Sequence, residues 1–438
     1  MPPFPSSEWA SSAVTALHDD AQFQRSCRAF DATVRFDFDE ESYAISIDEG
    51  TVELHEDPTF VTWDFALRAS EETWEKLFAE TPPPMYNDLL GLWLRGPLTM
   101  EGDLKTAIQH LEPLKRLLVV FRQVNNETPE DSDETVASTD AVSENEAVSN
   151  PEDFDHGETE AMDAGYVWLE FEGDSYRTYY ETAGDGDVPL VLLHTASADS
   201  RQYRHLMNDA DLLEEFTLYA FDVPWHGNSF PPMTRDWWNE DYRMTTEFYA
   251  GFVMTFVRAF DLDQPAVMGC SMGGAIVLEL AISYAEELRA VVGLESTAFA
   301  PTRDIGYLDH PHINQEVVRP EWTYGLQAPQ SPEQFKRESW WTYSQGGDGV
   351  YVGDLHFYTE DWDVRDELGD IDTDECSVYL LTGDYDFSAS PEDTSAVADE
   401  IDGAAFTEME GMGHFPMVEN PALFKEYLDP VFESVLSE

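Results

Sequence analysis

Between residues 31 and 67 apolar side chains fall on every second position. Val34, Phe36 and Phe38 alternate with Arg35 and Asp37; Tyr43, Ile45 and Ile47 repeat the period, as do Val52 and Leu54, and Val61, Trp63, Phe65 and Leu67 form the longest stripe. A period of two sends alternate side chains to opposite faces of a strand, so these stretches predict an antiparallel sheet with one buried face. A helix-like pattern from Glu8 to Phe30 precedes it, and helical stretches follow at Glu71 to Phe78, at Tyr86 to Trp93 and on to Val120. This segregation of strands and helices predicts a small α+β domain over residues 8–124.

The pattern then stops. From residue 125 to 164 Glu, Asp, Ser, Thr, Asn and Ala dominate, and no Lys or Arg occurs between Arg122 and Arg177. Such a segment buries too little surface to offset its ordering entropy, which predicts a charged, extended linker. Beyond it the pattern changes kind. A hairpin is predicted at Tyr166 to Phe171 and Tyr176 to Thr182, around Gly173-Asp174. Continuous apolar runs follow at Val188 to Leu193, Phe216 to Phe221, Ala266 to Met268, Ala290 to Leu294 and Val378 to Leu381. Helical stretches separate them, one carrying Phe248, Phe252, Phe256 and Phe260 at every fourth residue. Buried strands alternating with amphipathic helices predict an α/β domain over 165–438, a mostly parallel sheet with helices on both faces. Between Thr297 and Asp374 the alternation lapses, and this stretch of about 297–374 reads as an inserted cap rich in Trp and Tyr.

Composition changes the picture in one respect. The 438 residues hold 89 Asp and Glu against 23 Lys and Arg, only five of them Lys, for a formal charge of -66. With no basic stripe to meet phosphates, nucleic-acid binding is not expected. The acids spread over both predicted domains, and self-repulsion of this size is screened by molar salt, so the expectation is a halophile's cytoplasmic protein. Three widely spaced cysteines, Cys27, Cys270 and Cys376, point to reduced thiols. No apolar run is long enough for a membrane span, and the first residues lack the basic and apolar regions of a signal peptide.

Candidate chemistry centres on Gly269-Cys270-Ser271-Met272-Gly273-Gly274, set between an apolar run and a helix-forming stretch. Small residues at G-x-S-x-G spacing let a sharp turn lift the serine clear of its strand, and the amide of Met272 opens the helix toward an oxyanion at that serine. Three other segments end predicted strands or precede the last helix: His194-Thr195-Ala196, Gly383-Asp384-Tyr385-Asp386 and Gly413-His414. In a parallel sheet such ends share one edge. His414 is the candidate base, and either Asp384 or Asp386 could orient it, with Glu295 a more distant acid.

The G-x-S-x-G turn and the order Ser, Asp, His resemble the α/β-hydrolase family. The resemblance implies Ser271 as nucleophile, His414 as base, Asp386 as acid by its Gly-x-x-Asp spacing, and the amides of Met272 and Ala196 as oxyanion donors. Thr195 stands where that family usually has glycine. Asp222-Val223-Pro224-Trp225-His226-Gly227-Asn228-Ser229 resembles a structural loop of the same family, so Asp222 and His226 are expected to be structural. His194, Thr195, Cys270, Trp340 and Trp341 are candidates to line the substrate pocket. The element order of the first domain and Gly96-Pro97-Leu98-Thr99-Met100-Glu101-Gly102-Asp103 resemble the sterol carrier protein type-2 fold, whose members bind lipid or acyl chains in an apolar tunnel.

These readings imply a serine hydrolase of a small apolar ester, thioester or lactone, with lipid or an acyl chain as a ligand of the first domain. Two alternatives stay open: carbon–carbon bond cleavage of a diketone by the same triad, and a non-catalytic lipid carrier or ligand sensor. No cofactor is expected. No metal is expected either, because His310-Pro311-His312 offers two imidazoles without an evident third ligand.

Overall fold

A computed structural model describes residues 3–126, 162–300, 307 and 310–437. Residues 127–161, most of the predicted linker, lie outside the described residues. The chain forms two compact units, Met1–Glu144 with Ile305–Gln330, and Asn145–Asp304 with Ser331–Glu438. No helix among the described residues is long and apolar enough to cross a membrane.

In the first unit β1 (Asp31–Phe38), β2 (Glu41–Asp48), β3 (Thr51–His55), β4 (Phe65–Ala69) and β5 (Thr99–Gly102) form one sheet in the order β3-β2-β1-β4-β5. The stripe of Val34, Phe36 and Phe38 is buried as the alternation requires. On the other face Arg35 and Arg68 both pair with Asp37, at 2.7 and 2.9 Å. Two expectations need correction. The sheet is mixed, since β4 runs parallel to β1 with Val34 opposite Phe65. The stripe from Val61 also breaks, because Pro58–Phe60 turns as a 3-10 helix and the strand begins only at Phe65. Helices Ser7–Asp19 and Leu111–Asn126 bury Trp9, Leu17, Leu117 and Phe121. Rings meet edge to face there, Phe4 on Trp9 at 4.8 Å and Trp9 on Phe121 at 5.3 Å between centroids, a geometry favoured by the ring quadrupoles.

Part of the segment read as cap belongs to this first unit. Helix Gln315–Tyr324 meets the buried Lys115, whose Nζ donates to the carbonyl of Glu321 at 2.6 Å and pairs with Asp88 at 2.7 Å. Asn87 donates to the carbonyls of Gly325 and Gln327, and Gly325 lies so close to Asp88 that a Cβ would collide with the carboxylate.

In the second unit β6 (Met162–Phe171), β7 (Asp174–Ala183), β8 (Val188–Leu193), β9 (Phe216–Phe221), β10 (Ala266–Cys270), β11 (Ala290–Leu294), β12 (Ser377–Gly383) and β13 (Ala405–Met409) form a sheet in the order β13-β12-β11-β10-β8-β9-β7-β6. From β9 to β13 neighbours are parallel, while β6 and β7 form an antiparallel edge. The hairpin turns at Glu172 and Gly173, both with positive φ. The phenylalanine row lies on helix Thr246–Ala259 and its C-cap, and Phe256 stacks on Phe221 at 4.3 Å. Strand β13 was not expected: at an edge its Ala-Phe-Thr-Glu-Met carries no apolar run.

Removing Lys115 strands the buried carboxylate of Asp88. Lys115→Met should destabilise the first unit by about 3–5 kcal/mol, read as a lower urea midpoint for hydrogen-exchange protection of β1 and β2.

Candidate active site

The sequence around Ser271 folds as it does because three glycines let backbones touch. A Cβ at Gly269 would overlap the carbonyl oxygen of Gly273; one at Gly273 would meet that of Leu193 at the end of β8; one at Gly274 would meet that of Leu294 at the end of β11. Helix Met272–Ser283 is thereby pressed onto the strands, and Ser271, between β10 and the helix, takes φ 57° and ψ -112°. This conformation costs a non-glycine residue about 1–3 kcal/mol. Two hydrogen bonds hold it, Ser271 N–H to the carbonyl of Leu294 at 2.9 Å and Ala275 N–H to the carbonyl of Ser271 at 2.7 Å. Met272 begins the helix, where an N–H has no carbonyl one turn back to bond.

His414 lies in the turn after β13. Its Nδ1–H donates to Asp386 Oδ2 at 2.6 Å, and Asp386 Oδ1 accepts the N–H of Ser388 at 2.6 Å. Asp384 turns away and accepts the N–H of Gly411 at 2.8 Å; burial, chiefly, pushes its carboxyl up to about 6. The His414 turn is anchored twice. Glu419 accepts the N–H groups of Gly413 and Phe415 and the hydroxyl of Ser331. Cys270 Sγ donates to the carbonyl of His414 at 3.1 Å, and burial raises its thiol well above the usual range, so it stays protonated.

The hydroxyls of Ser271 and Tyr358 are 3.2 Å apart and hydrogen-bonded. Tyr358 sits in a π-helical turn, Phe357–Asp361, after helix Val350–His356. Burial raises its phenol well above the usual range, which keeps it a neutral donor. Among the described residues no hydrogen bond joins Ser271 Oγ to His414; such bonds commonly tighten only with substrate.

The turn carrying Ala196 is fixed from behind. His194 donates from Nδ1 to the carbonyl of Thr195 at 2.9 Å and accepts the N–H of Val223 at Nε2, 3.1 Å away. Burial brings its pKa down to about 4, so it is neutral. Thr195 N–H donates to Gln202, and its hydroxyl bonds Gln202 and Tyr343. Ser197, at φ 58°, donates its N–H to Asp354 at 2.6 Å. Asp354 also takes Nε2–H of His226 at 2.8 Å and the hydroxyl of Tyr242 at 2.7 Å. His226 donates its other ring N–H to the carbonyl of Pro224; burial, the largest single effect, opposes its charge, but the Asp354 carboxylate, the Pro224 carbonyl and Asp222 together raise its pKa.

Of the residues read from sequence, Ser271, Met272 and Ala196 stand on the strand ends of one sheet edge, with His414 and Asp386 paired beside them. Asp222 is structural, accepting the N–H groups of Ser200 and Asn228. His194, Thr195 and Cys270 have their polar atoms engaged within the protein, and Trp341 is 61% exposed on helix Glu333–Tyr343, which also carries the half-buried Trp340. In the first unit His310 accepts the N–H of His312 at Nδ1. Sequence reading missed Tyr358, Asp354 and Glu419. Only Glu419 left a trace, an acid in an otherwise apolar Pro-Met-Val-Glu turn soon after the histidine.

Comparison with known proteins bears on this geometry. Residues 188–318 match the family model described as alpha/beta hydrolase fold. A curated relative, the dihydrolipoyllysine-residue acetyltransferase component of an acetoin cleaving system from Cupriavidus necator, is 28% identical over 163 residues, 37% of this chain. The match spans only 40% of that relative's length. Among solved structures, a thermophilic esterase from Thermogutta terrifontis superposes with TM-score 0.52 at 18% identity, over 62% of this chain and 99% of its own. An enol-lactonase from Burkholderia xenovorans LB400 gives 0.53 at 17%, over 63% and 100%. The C-terminal part of the chain has the α/β-hydrolase fold.

Asp384 supplies a pH test of the site's frame. An acid whose folded pKa is raised, here to about 6, contributes stability that is present below the ordinary aspartate range and lost as pH rises through the folded value. Asp384→Asn keeps the acceptor for Gly411 without a charge. The variant should lose less thermal midpoint than the parent between about pH 4 and 7; parallel curves would contradict the assignment.

Proposed function

We propose that this α/β-hydrolase-fold protein is a serine hydrolase that works through an acyl-enzyme on Ser271. The observation that carries the reading is a serine in a left-handed turn at the carboxyl edge of the sheet that also holds a histidine bonded to a buried aspartate at 2.6 Å. A neutral hydroxyl is a poor nucleophile. His414 takes the Ser271 proton at Nε2 as Oγ attacks a carbonyl carbon, and Asp386 holds Nδ1–H and stabilises the imidazolium. The N–H groups of Met272 and Ala196 receive the oxyanion. His414 then protonates the leaving oxygen or sulfur, and water, deprotonated by His414, releases the acid.

For substrate we infer a small ester, thioester or lactone with an apolar acyl part. The esterase and enol-lactonase among the similar folds support that class, as do the buried rings of Tyr343 and Phe357 beside the polar site. The α+β first unit supports, by its class and its apolar sheet face, the proposal that it takes a lipid or acyl chain. The charge of -66 supports a salt-rich cytoplasm as its setting.

The test is hydrolysis of a chain-length series of nitrophenyl esters and acyl thioesters in multimolar KCl. Ser271→Ala should lower kcat at least about 1000-fold, and a fluorophosphonate should add to Ser271 of the parent alone, read by intact mass. Equal activity of the two proteins would remove Ser271 as nucleophile. The same assay without KCl should show a lower thermal midpoint and lower activity, since unscreened carboxylates repel one another.

A further inference from the structure

Two carboxyl groups lie side by side at the His414 ring, and the triad needs only one. Glu295 directly follows β11 with φ 55°, and its side chain turns inward; Glu295 and Asp386 are 2% and 1% exposed. Ligand-capable atoms of Glu295, Asp386 and His414 all lie within 4.8 Å of one another. The carboxyl oxygens of Glu295 and Asp386 are neighbours in a buried site, so a proton on either can be donated to the other. His414 Nδ1 already spends its proton on Asp386, so the trio shares protons and is not arranged around an ion.

A hydrogen bond between two carboxyl groups requires a proton on one of them. Asp386 is the poorer place for it, because its oxygens each receive an N–H, from His414 and from Ser388, both at 2.6 Å. Among the described residues Glu295 receives only the N–H of Gly383, shared between its oxygens at 3.1 and 3.3 Å. Every other titratable group facing the pair argues the same way. Cys270 on β10 is a neutral thiol, Glu419 on the helix Pro416–Glu419 is a third carboxyl, and among the described residues no Lys or Arg forms an ion pair with Glu295 or Asp386.

We propose that Glu295 is a positioning residue that stays protonated through the catalytic cycle, donating its O–H to Asp386 and leaving one negative charge in the site. Burial first, and the charge of Asp386 second, raise its carboxyl well above the usual range. The consequence falls on His414. A second carboxylate at the ring would favour the imidazolium, which cannot take the serine proton; one carboxylate with three donors orients the ring without that added charge. The Glu295 proton is never transferred, and every proton in the reaction passes through His414 Nε2.

This inference rests on the serine-hydrolase reading, and its test separates the two. Glu295→Leu removes the donor and should lower kcat about 10–100-fold with KM little changed, on active sites counted by phosphonylation. Glu295→Gln, which restores an N–H donor to Asp386 and an acceptor for Gly383, should recover most of that loss, to within about 5-fold of the parent. Infrared spectra of the parent labelled with ¹³C-glutamate should show, at neutral pH, the carbonyl stretch of a protonated acid that is missing in Glu295→Gln. A Gln variant as impaired as Leu would make Glu295 a working anion and overturn the proposal, as would absence of the protonated band in the parent, whether or not either variant folds. Failure of the parent to label at Ser271 would sink the hydrolase reading alone, while the infrared band would still decide the protonation of Glu295.

Discussion

Backbone pressed against backbone around Ser271 is the constraint on which the rest of the site depends. The left-handed serine is held only because Gly269, Gly273 and Gly274 let the helix settle onto the ends of β8 and β11. Any side chain there would lift the helix, and the two bonds that fix Ser271 would lengthen together. The same compression sets Cys270 against the carbonyl of His414, so the residue before Ser271 ties down the turn that carries His414. The serine's own geometry is thus inherited from backbone contacts.

Around that frame the protein manages buried charge by the company each group keeps. His194 and His226 lie with ring centroids 4.8 Å apart, yet their surroundings push their pKa values in opposite directions. His194 accepts a backbone N–H and is neutral; His226 faces a carbonyl and a carboxylate, which favour its charged form. Asp354, the carboxylate in question, also takes the N–H of Ser197, so this buried ion pair and the turn bearing Ala196 stand or fall together. Breaking one partner of such a pair leaves an uncompensated charge, a far larger penalty than the pair's own net contribution. Near His414 the problem is the reverse, too many acids for one base, and a proton on Glu295 resolves it.

Much of this was legible in the sequence where one residue's role follows from its neighbours. Ser271 is marked by adjacent glycines, the buried stripe of β1 by strict alternation, and the row from Phe248 to Phe260 by a four-residue spacing. The residues alone left Asp384 and Asp386 open, and only the family resemblance favoured Asp386; in the structure Asp386 bonds His414 while Asp384 bonds Gly411. What could not be read depends on partners distant in the chain. The parallel pairing of β1 with β4 follows from where the β2-β3 hairpin leaves the chain, and β13 from an edge that asks little of its residues. Asp354, Tyr358 and Glu419 have no motif; each matters because of what a folded neighbour presents to it. Helix Gln315–Tyr324 was read with the cap by sequence position, whereas its contacts with Lys115 and Asn87 put it in the first unit.

That last helix imposes an order on biogenesis. A ribosome delivers the first unit's sheet early, but Lys115 has no Glu321 carbonyl to donate to until about two hundred further residues have been made. By then the strand and turn of Ser271 have already left the exit tunnel. The amino-terminal unit is therefore spatially compact but discontinuous in sequence, and its last piece, ending at Gln330, is made after the Ser271 turn but before β12, β13 and His414 of the second unit. A chain cut within the stretch that joins the two units yields a first half lacking one of its own helices, so excising either half by sequence position leaves one fragment short and the other with a surplus.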